Sequence, residues 1–367
     1  MSKLQDLYRE HGQSPWLDNL ERGWITGGEL ARWVERGVRG ITSNPTIFAR
    51  AIASSDDYDR QFGELVAGGR SVQDSYWDMV RSDVGDALAI LAPVHDDSGG
   101  EDGFVSLELA PDLAHDTEGS IAAARRLHVE IDRSNLYVKI PGTAPGVRAV
   151  KAMIAEARSI NVTLLFGLDR YGEVIDAYLG GLEELALAGG DLASVNSVAS
   201  FFVSRFDTEV DRRLGAIGSD VALGLRGKAA VANAQLAYQL FVQRFAGERW
   251  EALAAQGAKV QRPLWASTST KNPDYLDTMY VDSLIGPGTV NTMPEATLAD
   301  FEDHGTVART VDAHPGEARA ILDRISEVGV DLDDVTRTLE DEGVASFAKS
   351  FDELLTGLER KADALSR

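Results

Sequence analysis

The stretch "NLYVKIPGT", residues 135–143, places a lysine inside an otherwise apolar run. Side chains alternate across a strand, so Leu136, Val138 and Ile140 share one face while Tyr137 and Lys139 share the other. In "FVSLELA" the apolar set Val105, Leu107 and Leu109 turns Ser106 and Glu108 to the opposite side. In "INVTLLF" Val162, Leu164 and Phe166 do the same for Asn161 and Thr163. Asp18 in "SPWLDNL", Thr42 and Asn44 in "GITSNP" and Ser200 in "NSVASFF" stand near the ends of further β-rich runs. An amine kept partly neutral by dry surroundings attacks a carbonyl to give a Schiff base, whose iminium then draws electrons from the neighbouring carbon. A Lys139–Glu108 ion pair could serve packing alone. Two carboxylates, a lysine and several hydroxyl and amide groups on converging strand ends are harder to explain that way, because each buried polar group needs a partner.

Such a convergence requires strands that share one interior. Short β-rich runs alternate with longer amphipathic ones, the pattern of repeated βα units around a parallel sheet. The expected strands are "SPWLDNL" from Ser14, "GITSNP" from Gly40, "FVSLELA" from Phe104, "NLYVKIP" from Asn135, "INVTLLF" from Ile160, "NSVASFF" from Asn196, "RPLWAST" from Arg262 and "TMYVDSL" from Thr278. Eight strands predict an α/β fold of the (β/α)8 TIM-barrel type with additional helices, whose active sites gather at the carboxyl ends of the strands. Such barrels need about 250 residues. Residues 1–367 therefore read as one barrel domain with helical insertions near 46–103 and 206–258 and a helical tail near 294–367. "HDDSGGEDG", residues 95–103, reads as an acidic loop and "GPG", residues 286–288, as a turn. In "TMPE", Thr292 and Glu295 fit a capping box opening a helix. The charged amphipathic tail reads as a helix docked on its own barrel or a dimer contact.

Composition limits the partners. Acidic residues number 58 against 36 basic, a net charge of −22 that repels nucleic acid and anionic lipid and leaves room only for a local cationic pocket. There is no cysteine, which excludes thiolate nucleophiles and cysteine metal sites. The six histidines lack metal-ligand spacing, so no metal and no cofactor is expected. No stretch reaches the ~20 apolar residues of a membrane span, and the expected location is cytoplasmic.

The segments "GITSNPTIF", "LYVKIPGT", "INVTLLF", "SVASFFVSRFD" and "LWASTSTKNPDYLDTMYVDSLIGPGTVNTMPEAT" occur in one order over roughly residues 14 to 300. Together they resemble the transaldolase family in its longer actinobacterial form. The resemblance implies transfer of a dihydroxyacetone unit from a ketose phosphate, fructose 6-phosphate or sedoheptulose 7-phosphate, to an aldose phosphate, erythrose 4-phosphate or glyceraldehyde 3-phosphate. This chemistry belongs to the pentose phosphate pathway, with small sugar phosphates as partners and a monomer or homodimer as the assembly.

By motif, the resemblance implies that Lys139 is the Schiff-base lysine and that Asp18 removes the C4 hydroxyl proton. Glu108, through a water held with Thr163, would shuttle protons at C2. Asn44, Thr42 and Ser200 would hold the dihydroxyacetone part, and Arg205 in "FFVSRFD" would bind phosphate. Past "LWAS" the chain reads "STSTKNP" where shorter relatives carry a serine and an arginine, which makes Ser267 and Lys271 candidates; a solvated surface lysine is the other reading of Lys271. The alternatives are a fructose-6-phosphate aldolase, in which a glutamine stands at the place of Glu108, and a sugar-phosphate-binding protein without catalysis.

Overall fold

The computed structural model describes residues 2–365. Its centre is a closed barrel of eight parallel strands in sequential order: β1 (Gln13–Leu17), β2 (Gly40–Thr42), β3 (Phe104–Glu108), β4 (Leu136–Pro141), β5 (Ile160–Leu165), β6 (Ser197–Phe202), β7 (Arg262–Ala266) and β8 (Thr289–Met293). Register confirms the alternation inferred for the middle strands. Ser106 pairs with Tyr137, Glu108 with Lys139, and Lys139 with Asn161, so these residues share the inner face. The lower interior is aromatic: Tyr137 stacks on Phe104 at 4.1 Å and on Trp16 at 6.1 Å between ring centroids. Gly40 is required beside them, because a Cβ there would lie 2.3 Å from the Trp16 indole.

The eighth expected strand is a correction. "TMYVDSL" forms a short helix, Met279–Ser283, and the closing strand is "TVNTM", which pairs with β1 along its whole length. Side-chain chemistry explains the difference: Thr278 donates to Asp282 at 2.9 Å across one helical turn, and Tyr280 donates to the buried Asp207 at 2.9 Å. Those bonds hold the segment against its β-like composition. The "GPG" turn then feeds the β-branched run into the barrel. The capping box is also corrected. Thr292 lies in β8 with its hydroxyl turned inward, and the helix Glu295–His304 starts after Pro294 without a side-chain cap.

Helices fill the expected extra regions. Pro45–Ser54, Asp59–Ala67 and Val72–Asp97 lie between β2 and β3, and Ser204–Ile217, Asp220–Leu223, Ala229–Arg244 and Glu248–Ala254 lie between β6 and β7. Glu295–His304, Pro315–Glu327 and the long C-terminal helix Leu332–Leu365 follow β8. The last packs on Pro45–Ser54 and Ser204–Ile217, across the carboxyl-end mouth of the barrel. The acidic loop is only partly a loop: residues 95–97 complete the preceding helix, and Asp102 is fully buried. Among the described residues no helix is long and apolar enough to cross a membrane.

Candidate active site

Lys139 and Glu108 are both about 5% exposed or less, on adjacent strands, and their charged ends meet at 3.1 Å. Lys139 Nζ also donates to the backbone carbonyl of Ser43 at 3.0 Å, a partner that no side-chain pattern could announce. Ser43 is itself fixed by donating from its hydroxyl to the Ser106 carbonyl at 2.7 Å. The ammonium end is therefore held where the ends of β2, β3 and β4 meet.

Above it opens a cavity of about 120 Å³ lined by Asp18, Thr42, Asn44, Lys139, Thr163, Ser200, Arg205, Ser267 and Lys271, nine of the ten residues singled out from sequence. Glu108 is the exception. It stands behind Lys139, against an apolar crevice formed by Tyr76, Trp77 and Phe351. Burial raises the Glu108 pKa, Lys139 and Arg205 offsetting part of that effect and the Asp18 charge adding to it. Asp18 is raised in the same way by burial, against the Thr42 hydrogen bond and the charges of Lys139, Arg205 and Arg50. Two carboxyl groups that resist ionisation thus flank one amine.

The polar groups around the cavity have restricted hydrogen-bond directions. Thr42 donates to Asp18 Oδ1 at 2.7 Å and lies 2.6 Å from the Thr292 hydroxyl. A hydroxyl has one proton, so with Asp18 ionised the chain runs from Thr292 to Thr42 to Asp18. Ser200 donates to Asn161 Oδ1 at 2.7 Å, and Asn161 Nδ2 donates to Ser106 at 3.1 Å. Asn44 Oδ1 caps the helix that starts at Pro45, accepting from the Ile47 amide at 3.0 Å; this turns the side-chain amide toward the cavity. The Thr163 hydroxyl is buried without a hydrogen-bond partner among the described residues, directly in the cavity wall. At the rim, Lys271 donates to Ser269 at 2.7 Å and is exposed.

Two of the four non-glycine residues with positive φ among the described residues lie at the mouth. Leu164 and Ser267, at the ends of β5 and β7, adopt φ of 59° and 57°, a region that costs a non-glycine residue about 1–3 kcal/mol. At Leu164 the register of β5 shifts, so the alternation inferred for "INVTLLF" ends after Thr163. Ser267 is held by its carbonyl, which accepts from the Ser204 amide at 2.9 Å, and by its hydroxyl, 2.8 Å from that of Ser204.

Six lining residues were not among the candidates: Phe202, Ala266, Ser269, Thr292, Pro294 and Phe347. Thr292 was hidden by its resemblance to a helix cap. Phe347 comes from the C-terminal helix, where amphipathic spacing shows that a face is covered without showing what it covers.

The arrangement is an amine beside a carboxyl group whose ionisation burial opposes, facing a second carboxyl group across a cavity with cations at its rim. The profile of the Transaldolase/Fructose-6-phosphate aldolase family matches residues 15–358. A transaldolase of Thermobifida fusca is 51% identical over 356 residues, covering 96% of each chain. One from Parafrankia is 51% identical over 358 residues, 97% of each chain, and one from Mycolicibacterium smegmatis is 48% identical over 358 residues, 97% of this chain and 96% of the relative. With its barrel, its buried lysine and this agreement over nearly its whole length, the chain belongs to the transaldolase/fructose-6-phosphate aldolase family of enzymes.

Proposed function

We propose that the chain is a transaldolase that transfers a dihydroxyacetone unit through a Schiff base on Lys139. The observation that carries this reading is the 3.1 Å pairing of a buried amine with a carboxyl group whose ionisation burial opposes, at the base of a cavity that also holds Asp18. Lys139 attacks C2 of fructose 6-phosphate or sedoheptulose 7-phosphate. One amine proton passes to the C2 oxygen to give the carbinolamine; that oxygen then takes a second proton from Glu108, through a water shared with Thr163, and leaves as water, and the iminium forms. Asp18 then accepts the C4 hydroxyl proton. The C3–C4 bonding electrons move toward C2, leaving a three-carbon enamine on Lys139 and releasing an aldose phosphate. The acceptor, erythrose 4-phosphate or glyceraldehyde 3-phosphate, reverses these steps: the enamine carbon attacks its aldehyde, and Asp18 returns the proton.

Raised carboxyl pKa values suit both roles, since the group that donates must still hold its proton near neutral pH and the group that accepts must be basic enough. Thr42, Asn44 and Ser200 orient the dihydroxyacetone hydroxyls. Arg205, with Ser267 and Lys271, receives the phosphate despite the acidic surface. The reaction places the protein among the cytoplasmic sugar-phosphate interconversions of the pentose phosphate pathway.

Incubation with fructose 6-phosphate followed by borohydride reduction and peptide mass spectrometry tests the central step. The expected result is a reduced three-carbon adduct on Lys139 that is lost in Lys139→Ala. An unmodified Lys139 in an active preparation rules out the Schiff-base mechanism. Transfer to erythrose 4-phosphate faster than release of free dihydroxyacetone separates a transaldolase from an aldolase.

A further inference from the structure

We propose that Phe347 of the C-terminal helix is a positioning residue for phosphate recognition, acting through Arg205; this rests on the phosphate reading of Arg205. The guanidinium carbon of Arg205 lies 5.2 Å from the ring centre of Phe202 and 5.7 Å from that of Phe347, and all three residues line the cavity that contains Lys139. Half-buried as it is, Arg205 makes no hydrogen bond or ion pair with any described residue. The two rings are what hold it. A ring attracts a guanidinium through its π-face and uses none of the N–H donors. The planar fork is thereby fixed while its donors stay free for phosphate oxygens.

The helix is built to deliver that ring. Gly343, Phe347 and Phe351 follow at four-residue spacing and so share one face. At Gly343 a Cβ would come within 3.0 Å of the Leu164 side chain, so glycine lets the helix settle onto the strained end of β5. One turn on, Phe347 projects over Arg205; one turn further, Phe351 packs edge-on against Tyr76 at 5.5 Å, behind Glu108. Polar ties fix the helix along its length: Arg213 to Asp334 at 2.7 Å, Arg170 to Glu340 at 3.5 Å and Thr46 to Ser350 at 2.9 Å. Phe347 is thus supplied by a segment 142 residues beyond Arg205, on a helix that the barrel itself does not require.

The test compares fructose 6-phosphate with unphosphorylated fructose as donor, in Phe347→Leu, Phe347→Tyr and Arg205→Ala. Leucine keeps apolar bulk and removes the π-face. It should raise KM for fructose 6-phosphate roughly five- to tenfold, with a smaller effect on kcat and little effect on KM for fructose. Tyrosine should restore the wild-type KM. Equal losses for both donors in Phe347→Leu, or an unchanged KM for fructose 6-phosphate while Arg205→Ala abolishes the preference for it, overturns the role of Phe347 alone. An Arg205→Ala enzyme that keeps its preference for the phosphorylated donor overturns the phosphate reading, and the role of Phe347 with it.

Discussion

The two ends of the barrel take carboxyl groups out of water and treat them in opposite ways. At the amino end, Asp102 accepts from Arg39 at 2.8 Å, Arg262 at 3.0 Å, Ser14 at 2.6 Å and Trp16 at 3.3 Å. Burial alone would raise its pKa, but the charges of Arg262 and Arg39 and the Ser14 bond together hold it below the usual carboxylate range. At the carboxyl end, Glu108 and Asp18 have fewer or less complete partners and stay raised. The same sheet therefore carries a saturated ionic plug at one end and an unsaturated one at the other. The saturated end fixes the fold. The unsaturated end keeps carboxyl groups whose ionisation burial opposes and a guanidinium with unused donors, a cost in stability that active sites commonly carry.

The contrast breaks most visibly at Asp102. Asp102→Ala leaves two guanidiniums buried without their shared anion and should cost about 3–5 kcal/mol, read by urea unfolding. Activity per folded molecule should be unchanged, because this cluster lies at the end of the barrel opposite Lys139. A fall in kcat with the stability intact would contradict the division between the ends.

Asp18→Asn probes the other end and should have the opposite sign. A carboxyl group whose folded pKa is raised contributes stability that is fully present below its unfolded pKa and is lost as pH rises through the folded value. At neutral pH the Asp18 charge is therefore a burden. The asparagine variant should be more stable than the parent by about 1 kcal/mol at pH 7, and the difference should close below about pH 4. Donor cleavage should fall by about 10² or more. For Asp102 the sign reverses: its lowered pKa contributes stability above the unfolded-state value, lost as pH falls through the folded one. Melting curves from pH 3 to 8 on the parent and both variants measure the two contributions; equal pH dependence in all three would sink the comparison.

How far the sequence carried this contrast depends on the range of the interaction. Lys139, Glu108, Asn161 and Thr163 were legible because alternation along a strand is local and the register preserved it. The barrel followed from the repeated alternation of strands and helices. Arg205 lies in the first turn of the helix Ser204–Ile217, and Ser267 and Lys271 on the connection after β7; no strand alternation extends to them, and only family motifs reached them. Asp102 was read as part of an acidic loop because its partners lie 63 residues before it and 160 after it. Thr292 was misread because "TMPE" satisfies the local rule for a cap, whereas pairing of β8 with β1 decides the direction of its side chain. Phe347 needed the helix docked before its target could be known.

Thr292 gives the smallest and most discriminating effect. Its hydroxyl touches no reacting atom in the proposed mechanism and acts through Thr42: with Thr42 donating to ionised Asp18, the 2.6 Å contact makes Thr292 the donor to Thr42, and that bond holds Thr42 in the rotamer from which it donates. Thr292→Val keeps the shape and removes that donor, leaving Thr42 free to rotate away from Asp18. The expected outcome is a three- to tenfold loss in kcat, within the ~1 kcal/mol typical of one hydrogen bond, with KM nearly unchanged. The kinetic pKa of the basic group should also rise, because the carboxylate has lost a bond that favoured its ionised form. Thr292→Ser should restore both the rate and the pH profile. A valine variant with the parent's pH profile and a reduced melting temperature would make Thr292 a packing residue, and would leave Thr42 orienting Asp18 without help from β8.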